Sequence, residues 1–193
     1  KYDMFLCGGD TVYSNKLSFT ITSVGFSKRI IYRNRAKMND NIYVTGNLGD
    51  SYIGLNILKK KLNFSKYLKK YFINRYYQPI LHLKLTNELL SFANTSIDIS
   101  DGLISDLEKL LNKQKFSYKL YMDNIPISKN LKKLIILKKL RKLSCVSKGD
   151  DYQILFTASP SKLGIINKTA KSLGIKISKI GKICSPSLKS EIY

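Results

Sequence analysis

The sequence is poor in acidic residues, in cysteine and in histidine. It has 13 Asp plus Glu against 34 Lys plus Arg, which gives a net charge of +21. Its three cysteines, Cys7, Cys145 and Cys184, are odd in number and form no CxxC pair, which argues against a disulfide framework and a zinc site. The single histidine, His82, has no second histidine with which to build a multi-histidine metal site. This cysteine usage fits a reducing compartment, and we expect the protein in the cytoplasm.

Long apolar runs are also missing from the chain. No run approaches the roughly 18 to 20 residues that a membrane span needs. The first residues, KYDMFLCGGDT, lack the charged start and apolar stretch of a signal peptide. Hydrophobic residues make up 44% of the 193 residues, so a sizeable core can form in one domain, or in one domain and a piece of another. Because the chain lacks an initiator Met and begins inside a strand-like pattern, we expect it to be a fragment of a longer protein.

The excess of positive charge raises the possibility of a nucleic-acid partner. The lysines, however, are spread along the chain among many Ile, Asn and Tyr, a mixture typical of organisms with AT-rich genomes. The densest basic run, residues 129–143, has leucines at roughly helical spacing, which favours a helix with a solvated lysine face. A polyanion-binding or membrane-surface helix is the alternative. We predict neither a nucleic-acid nor a membrane partner, and keep a basic nucleic-acid-binding module as a remote alternative.

The pattern of apolar residues predicts an α+β fold in which helices cover a mixed sheet. Residues 2–26 alternate like two strands joined by a polar turn, and residues 27–41 form a basic connector. Further strands are predicted at 41–46, 95–100, 117–122, 151–158 and 175–183, and helices at 50–62, 65–75, 82–93, 102–114, 129–143 and 160–174. The boundary between a partial first domain, residues 1–27, and a nearly whole second one, residues 28–193, falls near the connector.

Acidic residues are concentrated in one segment, SIDISDGLISDL, residues 96–107. The alternation of its first residues makes Asp98 point outward at the end of a strand. Asp101 stands just before a helix, where Asp is a favoured N-cap, but capping explains neither Asp98 nor Ser100. Two carboxylates three residues apart repel each other unless a divalent cation neutralises them, and Mg²⁺ prefers a few carboxylates plus phosphate oxygens. The helix N-terminus also favours a phosphate. Asp106 lies more than a turn into the helix, where we expect it on the surface.

Three other loops combine glycine with aspartate at the ends of predicted elements. They are LCGGDT at 6–11, TGNLGDS at 45–51 and SKGDDYQILF at 147–156. A plain turn or a helix cap explains any one of them, but four such loops exceed what turn chemistry alone predicts.

The connector adds Arg33 and Arg35, each of which could bind a phosphate bidentately or be a plain surface charge. No Ser/His/Asp set and no GxxxxGK[ST] loop is present. The pattern therefore indicates metal-bridged handling of phosphates.

Four motifs, in this order and at these distances, resemble those of the thiamine-monophosphate kinase family. They are KYDMFLCGGDT, GNLGDSYIGLNIL, SIDISDGLISDL and GDDYQILFTA, of which SIDISDGL is the most specific. The resemblance covers essentially the whole chain. The wider superfamily, which includes aminoimidazole ribonucleotide synthetase and selenophosphate synthetase, shares the fold and the use of ATP. The resemblance implies that residues 1–27 end a truncated N-terminal ATP-binding α+β domain, and that residues 28–193 form the C-terminal domain.

The reaction that the resemblance implies is the ATP-dependent phosphorylation of thiamine monophosphate to thiamine diphosphate. Mg²⁺ would bridge the ATP phosphates and a set of aspartates, and the γ-phosphoryl group would pass directly to the substrate phosphate. Positioning and charge neutralisation then supply most of the catalysis, and no catalytic nucleophile is expected from the protein. The partners implied are ATP and thiamine monophosphate, with a homodimer when full-length. The alternative is another ATP-dependent synthetase of the superfamily, acting on a different phosphate-bearing substrate.

Site residues follow from the resemblance position by position. It implies ATP contacts at Gly9, Asp10, Arg33 and Ser100, metal ligands at Asp10, Asp98 and Asp101, and a substrate contact at Asp150. Lys148 departs from the family, which has a second glycine there, and this leaves the geometry of the loop open. The family's N-terminal region and its C-terminal aromatic residue, beyond Tyr193, are absent, so we expect the fragment alone to be inactive.

Overall fold

The N-terminal segment does not form the strands that its alternating pattern predicts. The computed structural model describes residues 4–27, 29–138 and 140–193, and residues 4–27 contain no strand and are exposed throughout. Phe19 and Ile21, for example, are 83% and 88% exposed. An isolated two-stranded hairpin is marginally stable at best, and within the described residues these side chains have no apolar surface to cover. Residues 2 and 3 of the predicted strands lie outside the described residues.

The rest of the described chain is built around a six-stranded mixed sheet. Its strands are β1 (Asn41–Thr45), β2 (Thr95–Asp98), β3 (Ser117–Leu120), β4 (Ile154–Ala158), β5 (Ile177–Cys184) and β6 (Glu191–Ile192). The strand order is β2-β4-β1-β5-β3-β6, and every pairing is antiparallel except that of β3 with β6. The predicted α+β class with a mixed sheet is confirmed, whereas β6 was not predicted.

Helices cover the sheet on both faces. They are α1 (Asp50–Leu58), α2 (Lys66–Tyr77), α3 (Leu83–Leu89), α4 (Leu103–Leu111), α5 (Lys129–Lys138), α6 (Lys142–Val146) and α7 (Leu163–Leu173). The single helix predicted over residues 129–143 is wrong: it is replaced by α5 and α6, and residue 139 lies outside the described residues. Helix α5 buries Leu131 and Leu134 and exposes Lys132 and Lys133, as predicted for a solvated lysine face. No helix among the described residues is long and apolar enough to cross a membrane.

The central strand β1 separates the two apolar layers. Ile42 and Val44 face the cluster that contains the leucines of α4, whereas Tyr43 faces the cluster formed with α3 and α7. The Tyr43 ring stacks on that of Phe156 in β4, with 5.2 Å between ring centroids. All five residues of β1 are buried, as expected for a strand with neighbours on both edges and helices on both faces.

The antiparallel pairing of β4 decides which loops meet. Val44 pairs with Leu155, and Asp98 pairs with Ile154, so β1 and β2 both end where β4 begins. The loops that follow β1 and β2 and the loop that precedes β4 therefore share one edge of the sheet. Three of the four Gly/Asp loops of the sequence lie at this edge.

Candidate functional site

The loop after β2 and the loop before β4 are joined through their backbones. The Asp150 N–H donates to the Ser100 carbonyl oxygen at 2.9 Å, and the Tyr152 N–H donates to the Ile99 carbonyl oxygen at 2.8 Å. A Cβ atom added at Gly149 would lie 1.7 Å from the Ser100 carbonyl oxygen, so only glycine fits. The neighbouring Lys148 side chain is exposed. The close packing thus requires a glycine at residue 149 and tolerates the departure at residue 148.

The start of helix α4 is capped by Asp106, which is buried. Its Oδ2 accepts the N–H groups of Asp101 and Gly102 at 2.8 and 3.1 Å, and its Oδ1 accepts a hydrogen bond from Lys109 Nζ at 3.0 Å. The expectation that Asp106 lies on the surface is wrong, because the first turn of the helix returns residue 106 beneath the helix N-terminus. The N-cap residue is Gly102 rather than Asp101. The Asp101 side chain is 62% exposed and forms an ion pair with Lys109.

Two of the predicted ATP contacts share a cleft with one predicted metal ligand. The cleft has a volume of about 500 Å³ and its lining includes Arg33, Asp98 and Ser100. Asp106 and Lys109 complete the charged part of the wall. This volume lies within the range of small-molecule sites.

The connector before β1 holds Arg33 at this cleft. The Thr95 hydroxyl at the start of β2 donates to the Tyr32 carbonyl oxygen at 2.7 Å. The Asn34 N–H donates to the Leu110 carbonyl oxygen of α4 at 2.9 Å. Hydrogen bonds on both sides of Arg33 therefore fix its backbone against β2 and α4. Arg35 is exposed and does not line this cleft.

The carboxylates of Asp98, Asp101 and Asp150 lie close enough to Tyr152 to affect its ionisation. The pKa of Tyr152 is raised chiefly because burial disfavours the phenolate, and the negative charges of these three aspartates raise it further. Asp150 and Tyr152 both have left-handed backbone conformations, with φ of 68° and 50°. Such φ values are uncommon for residues other than glycine, and they turn the loop sharply on both sides of Asp151.

The geometry for a metal ion is incomplete in the described part of the chain. No group of three or more His, Cys, Asp or Glu side chains there is arranged to hold one. Asp98 is exposed, and the ion pair of Asp101 with Lys109 raises the pKa of the lysine ammonium, since Asp101 and then Asp106 accept its hydrogen bonds. Two carboxylates fit Mg²⁺ when phosphate oxygens and water complete its coordination.

Gly9 and Asp10 lie apart from these residues. Both belong to the exposed segment 4–27, and apart from Gly9 itself and its two chain neighbours no described atom lies within 4 Å of the position that a Gly9 Cβ would take. The Asp10 carboxylate accepts a hydrogen bond from the neighbouring Thr11 N–H at 2.7 Å. The structure therefore brings together Arg33, Asp98 and Ser100, with Asp101 and Asp150 close by, but not the two residues of the first loop.

Two buried carboxylates that were not predicted as site residues join the loop after β1 to this edge. Asp151 Oδ2 accepts the Gly49 N–H at 2.8 Å, and Asp50 accepts the Ser128 and Tyr71 hydroxyls at 2.7 and 2.8 Å. Burial raises the pKa of Asp151 to about 7 and also raises the pKa of Asp50. Helix capping is the simplest expectation for Asp50 from the sequence, whereas its carboxylate in fact bonds side chains of α2 and of the segment before α5.

His82 belongs to a small polar cavity of about 80 Å³ beside these acids. Its Nε2 lies 2.9 Å from the Oε1 atom of Gln153, which also accepts the Thr45 hydroxyl hydrogen bond at 2.9 Å. The single histidine therefore takes part in a local hydrogen-bond network.

Comparison with known proteins finds several thiamine-monophosphate kinases that match along most of this chain. No protein-family model matches it. The thiamine-monophosphate kinase of Buchnera aphidicola subsp. Schizaphis graminum is 39% identical over 189 residues, which are 96% of this chain and 58% of that protein.

Solved structures of thiamine-monophosphate kinases share the fold of this chain. The crystal structure of thiamine-monophosphate kinase from Stenotrophomonas maltophilia K279a matches with a TM-score of 0.74 at 27% identity, covering 84% of this chain and 52% of that one. AaThiL complexed with AMPPCP and TMP matches with a TM-score of 0.73 at 24% identity, covering 86% of this chain and 51% of that one, and this match shows the fold. The chain thus spans a little over half the length of these proteins. Along nearly all of its own length, the chain is homologous to the thiamine-monophosphate kinase family.

Proposed function

We propose that the protein is a thiamine-monophosphate kinase, which transfers the γ-phosphoryl group of ATP to the phosphate of thiamine monophosphate. The observation that carries this proposal is the single cleft that Arg33, Asp98 and Ser100 share, beside the loops of two family motifs. The identity of 39% to a kinase of this name supports the same reaction. AMPPCP is a non-hydrolysable analogue of ATP, and its presence with TMP in a protein of the same fold also supports it.

The cleft residues suit the binding of a polyphosphate. The Arg33 side chain is exposed and carries five N–H donors in a planar fork, which can bind two phosphate oxygens at once. Ser100 follows Asp98 at the end of β2 and lines the same cleft. We propose that both contact the phosphates of ATP. Gly9 and Asp10 stay predicted ATP contacts, which would have to approach from the segment 4–27.

The carboxylates beside the cleft suit a divalent cation and the second substrate. We propose Asp98 and Asp101 as ligands of Mg²⁺, with Asp10 as a further ligand, and Asp150 as the contact to thiamine monophosphate. When bound, Mg²⁺ supplies neutralisation of the phosphate charge. The protein itself orients the two substrates: Arg33 and Ser100 hold the phosphates of ATP, and Asp150, whose backbone is fixed by its N–H bond to Ser100, contacts thiamine monophosphate.

The organisation of the whole protein is part of the proposal. We propose that residues 1–27 belong to an N-terminal ATP-binding domain, that residues 28–193 form the C-terminal domain, and that the protein is a homodimer. In that arrangement this chain alone is inactive. The cytoplasmic location and the absence of nucleic-acid and membrane partners stay predictions.

The test is the production of thiamine diphosphate from ATP and thiamine monophosphate by the complete protein. Asp98→Asn keeps the size of the side chain but removes its charge, and we expect the turnover number to fall by about 100-fold or more, as for the loss of one electrostatic contact in a transition state. Asp123→Asn, an exposed site on the 3₁₀ turn Met122–Asn124, is the matched control and should keep normal turnover. Near-normal turnover of Asp98→Asn would refute the metal role. ADP release with another phosphate-bearing substrate but not with thiamine monophosphate would favour the other synthetases of the superfamily.

A further inference from the structure

Lys109 lies in the cleft although no motif of the sequence assigns it a role. It stands on α4, two turns after Asp101, and lines the same cavity as Arg33 and Ser100. Its side chain is 38% exposed and is therefore only partly covered by the rest of the protein. We propose that Lys109 is a further phosphate-binding residue, which holds the phosphate chain of the nucleotide together with Arg33. This inference rests on the proposed function, because it assigns a contact within the same site.

The hydrogen bonds of Lys109 leave one donor available. An ammonium group carries three N–H donors. Among the described residues, Lys109 Nζ donates to the carboxylate of Asp101 and to Oδ1 of Asp106, the latter at 3.0 Å. Asp106 is itself fixed by two backbone N–H groups at the start of α4. The ammonium group is therefore held in place by a buried anchor while its third N–H is free to bind a phosphate oxygen.

Arg33, the other positively charged residue of the cleft, is held against the same helix. The connector that carries Arg33 bonds α4 through the Asn34 N–H, which donates to the Leu110 carbonyl oxygen at 2.9 Å. The Asn34 Oδ1 atom accepts the Lys113 N–H just beyond the helix end at 3.0 Å. Arg33 and Lys109 thus lie on elements that are already joined, so binding both to one phosphate chain requires little ordering.

The charge of the cleft also favours this role. Asp98, Asp101 and Asp106 would repel a polyphosphate, and Arg33 is the only other positively charged side chain that lines the cavity in the described residues. Lys109 neutralises part of that negative charge at the point where Asp101 and Asp106 approach the cleft. A purely structural ion pair would explain the contacts with Asp101 and Asp106 equally well, but it predicts no effect on phosphate affinity.

Isothermal titration of the complete protein with ATP and with inorganic tripolyphosphate, each in excess Mg²⁺, separates these two explanations. Lys109→Met should weaken the binding of both compounds by about tenfold, the effect of losing one hydrogen bond to a charged group. The matched control is Lys113→Met, which removes the same charge from an exposed position outside the cleft, and its affinity should change by less than about twofold because of screening.

Further variants keep the test decisive if Lys109→Met fails to fold. Lys109→Gln keeps a hydrogen-bond donor for Asp101 and Asp106 without the charge and should weaken binding similarly, whereas Lys109→Arg should keep most of the affinity. Equal affinities of the Lys109→Met or Lys109→Gln protein and the Lys113→Met protein would overturn the role of Lys109 while the proposed function stands. A loss confined to ATP would also overturn it. If the unmodified protein bound neither compound, the proposed nucleotide site itself would be refuted, and the role of Lys109 with it.

Discussion

Replacing Asp151 with asparagine should change how the stability of the fold depends on pH. Asp151 is 4% exposed and accepts the Gly49 N–H, so it links the loop after β1 to the start of β4. Burial raises its pKa from 3.8 to about 7, although the N–H groups of Gly49 and Ser51 oppose the change. The folded protein therefore keeps a proton on Asp151 at pH values where the unfolded chain has released it.

The size and sign of the effect follow from these two pKa values. An acid whose pKa is raised on folding contributes fully to stability at pH values below its pKa in the unfolded chain. This contribution is lost as the pH rises through its pKa in the folded protein. The whole difference between the two pKa values corresponds to about 4 kcal/mol of unfolding free energy, of which about 2 to 3 kcal/mol is lost between pH 5 and pH 8. The free energy of unfolding should therefore decrease by that amount over this range because of Asp151. Asp151→Asn has no proton to release and should lose this part of the pH dependence.

The assay is chemical denaturation at several pH values between 5 and 8. The difference in free energy of unfolding between Asp151→Asn and the unmodified chain gives the contribution of Asp151, including its interaction with the nearby Asp50. Asp123→Asn is the matched control, since that side chain is exposed, and it should keep the pH dependence of the unmodified chain. If Asp151→Asn gave the same slope as this control, the buried carboxyl would not hold a proton near neutral pH and the argument would be refuted.

Two further substitutions test the packing that builds the site. Gly149→Ala would place a Cβ atom 1.7 Å from the Ser100 carbonyl oxygen and should destabilise the fold by about 1 to 3 kcal/mol or displace the loop. Gly164→Ala lies in α7, where the added Cβ would meet no atom within 4 Å besides its chain neighbours and the nearby backbone of its own helix, and it should stabilise the fold slightly. Equal melting temperatures for both variants would contradict the packing. Asp106→Ala should destabilise the fold by about 2 to 3 kcal/mol in chemical denaturation, because it leaves two N–H groups at the start of α4 without their acceptor. Asp106→Asn, which keeps one oxygen, should cost less, and a larger loss for Asn than for Ala would rule out the capping role.

Most elements of the fold could be predicted because their residues carry a clear period. Leu103, Leu107 and Leu110 recur at helical spacing in α4 and all are fully buried. The alternation in TSIDIS placed Ile99 in the core and Asp98 outside, as the structure has them. The prediction failed for the N-terminal strands, because alternation indicates only which face would be buried, not whether a neighbouring surface is there to bury it.

The other wrong or missing predictions concern contacts that no periodic pattern in the sequence specifies. Strand β6 has two residues and exists because Glu191 and Ile192 pair in parallel with β3. Asp106 has the sequence context of a surface residue, and only the return of the helix beneath its own N-terminus gives it two backbone donors. Lys109 is one of many lysines in the sequence, and no local signal distinguishes it.

The sequence by itself determined the α+β class, most helices and strands, and the Gly/Asp loops that resemble those of thiamine-monophosphate kinases, because period, turn chemistry and motif spacing are local properties. Only the tertiary structure decided which loops meet. The antiparallel register of β4 between β1 and β2 brings the segments around Gly49, Ser100 and Asp150 to one sheet edge, and the exposed segment around Asp10 does not join them. The pairings of β4 with β1 and β2 join residues 56 to 117 positions apart, and a linear pattern does not specify which of its strands will be neighbours.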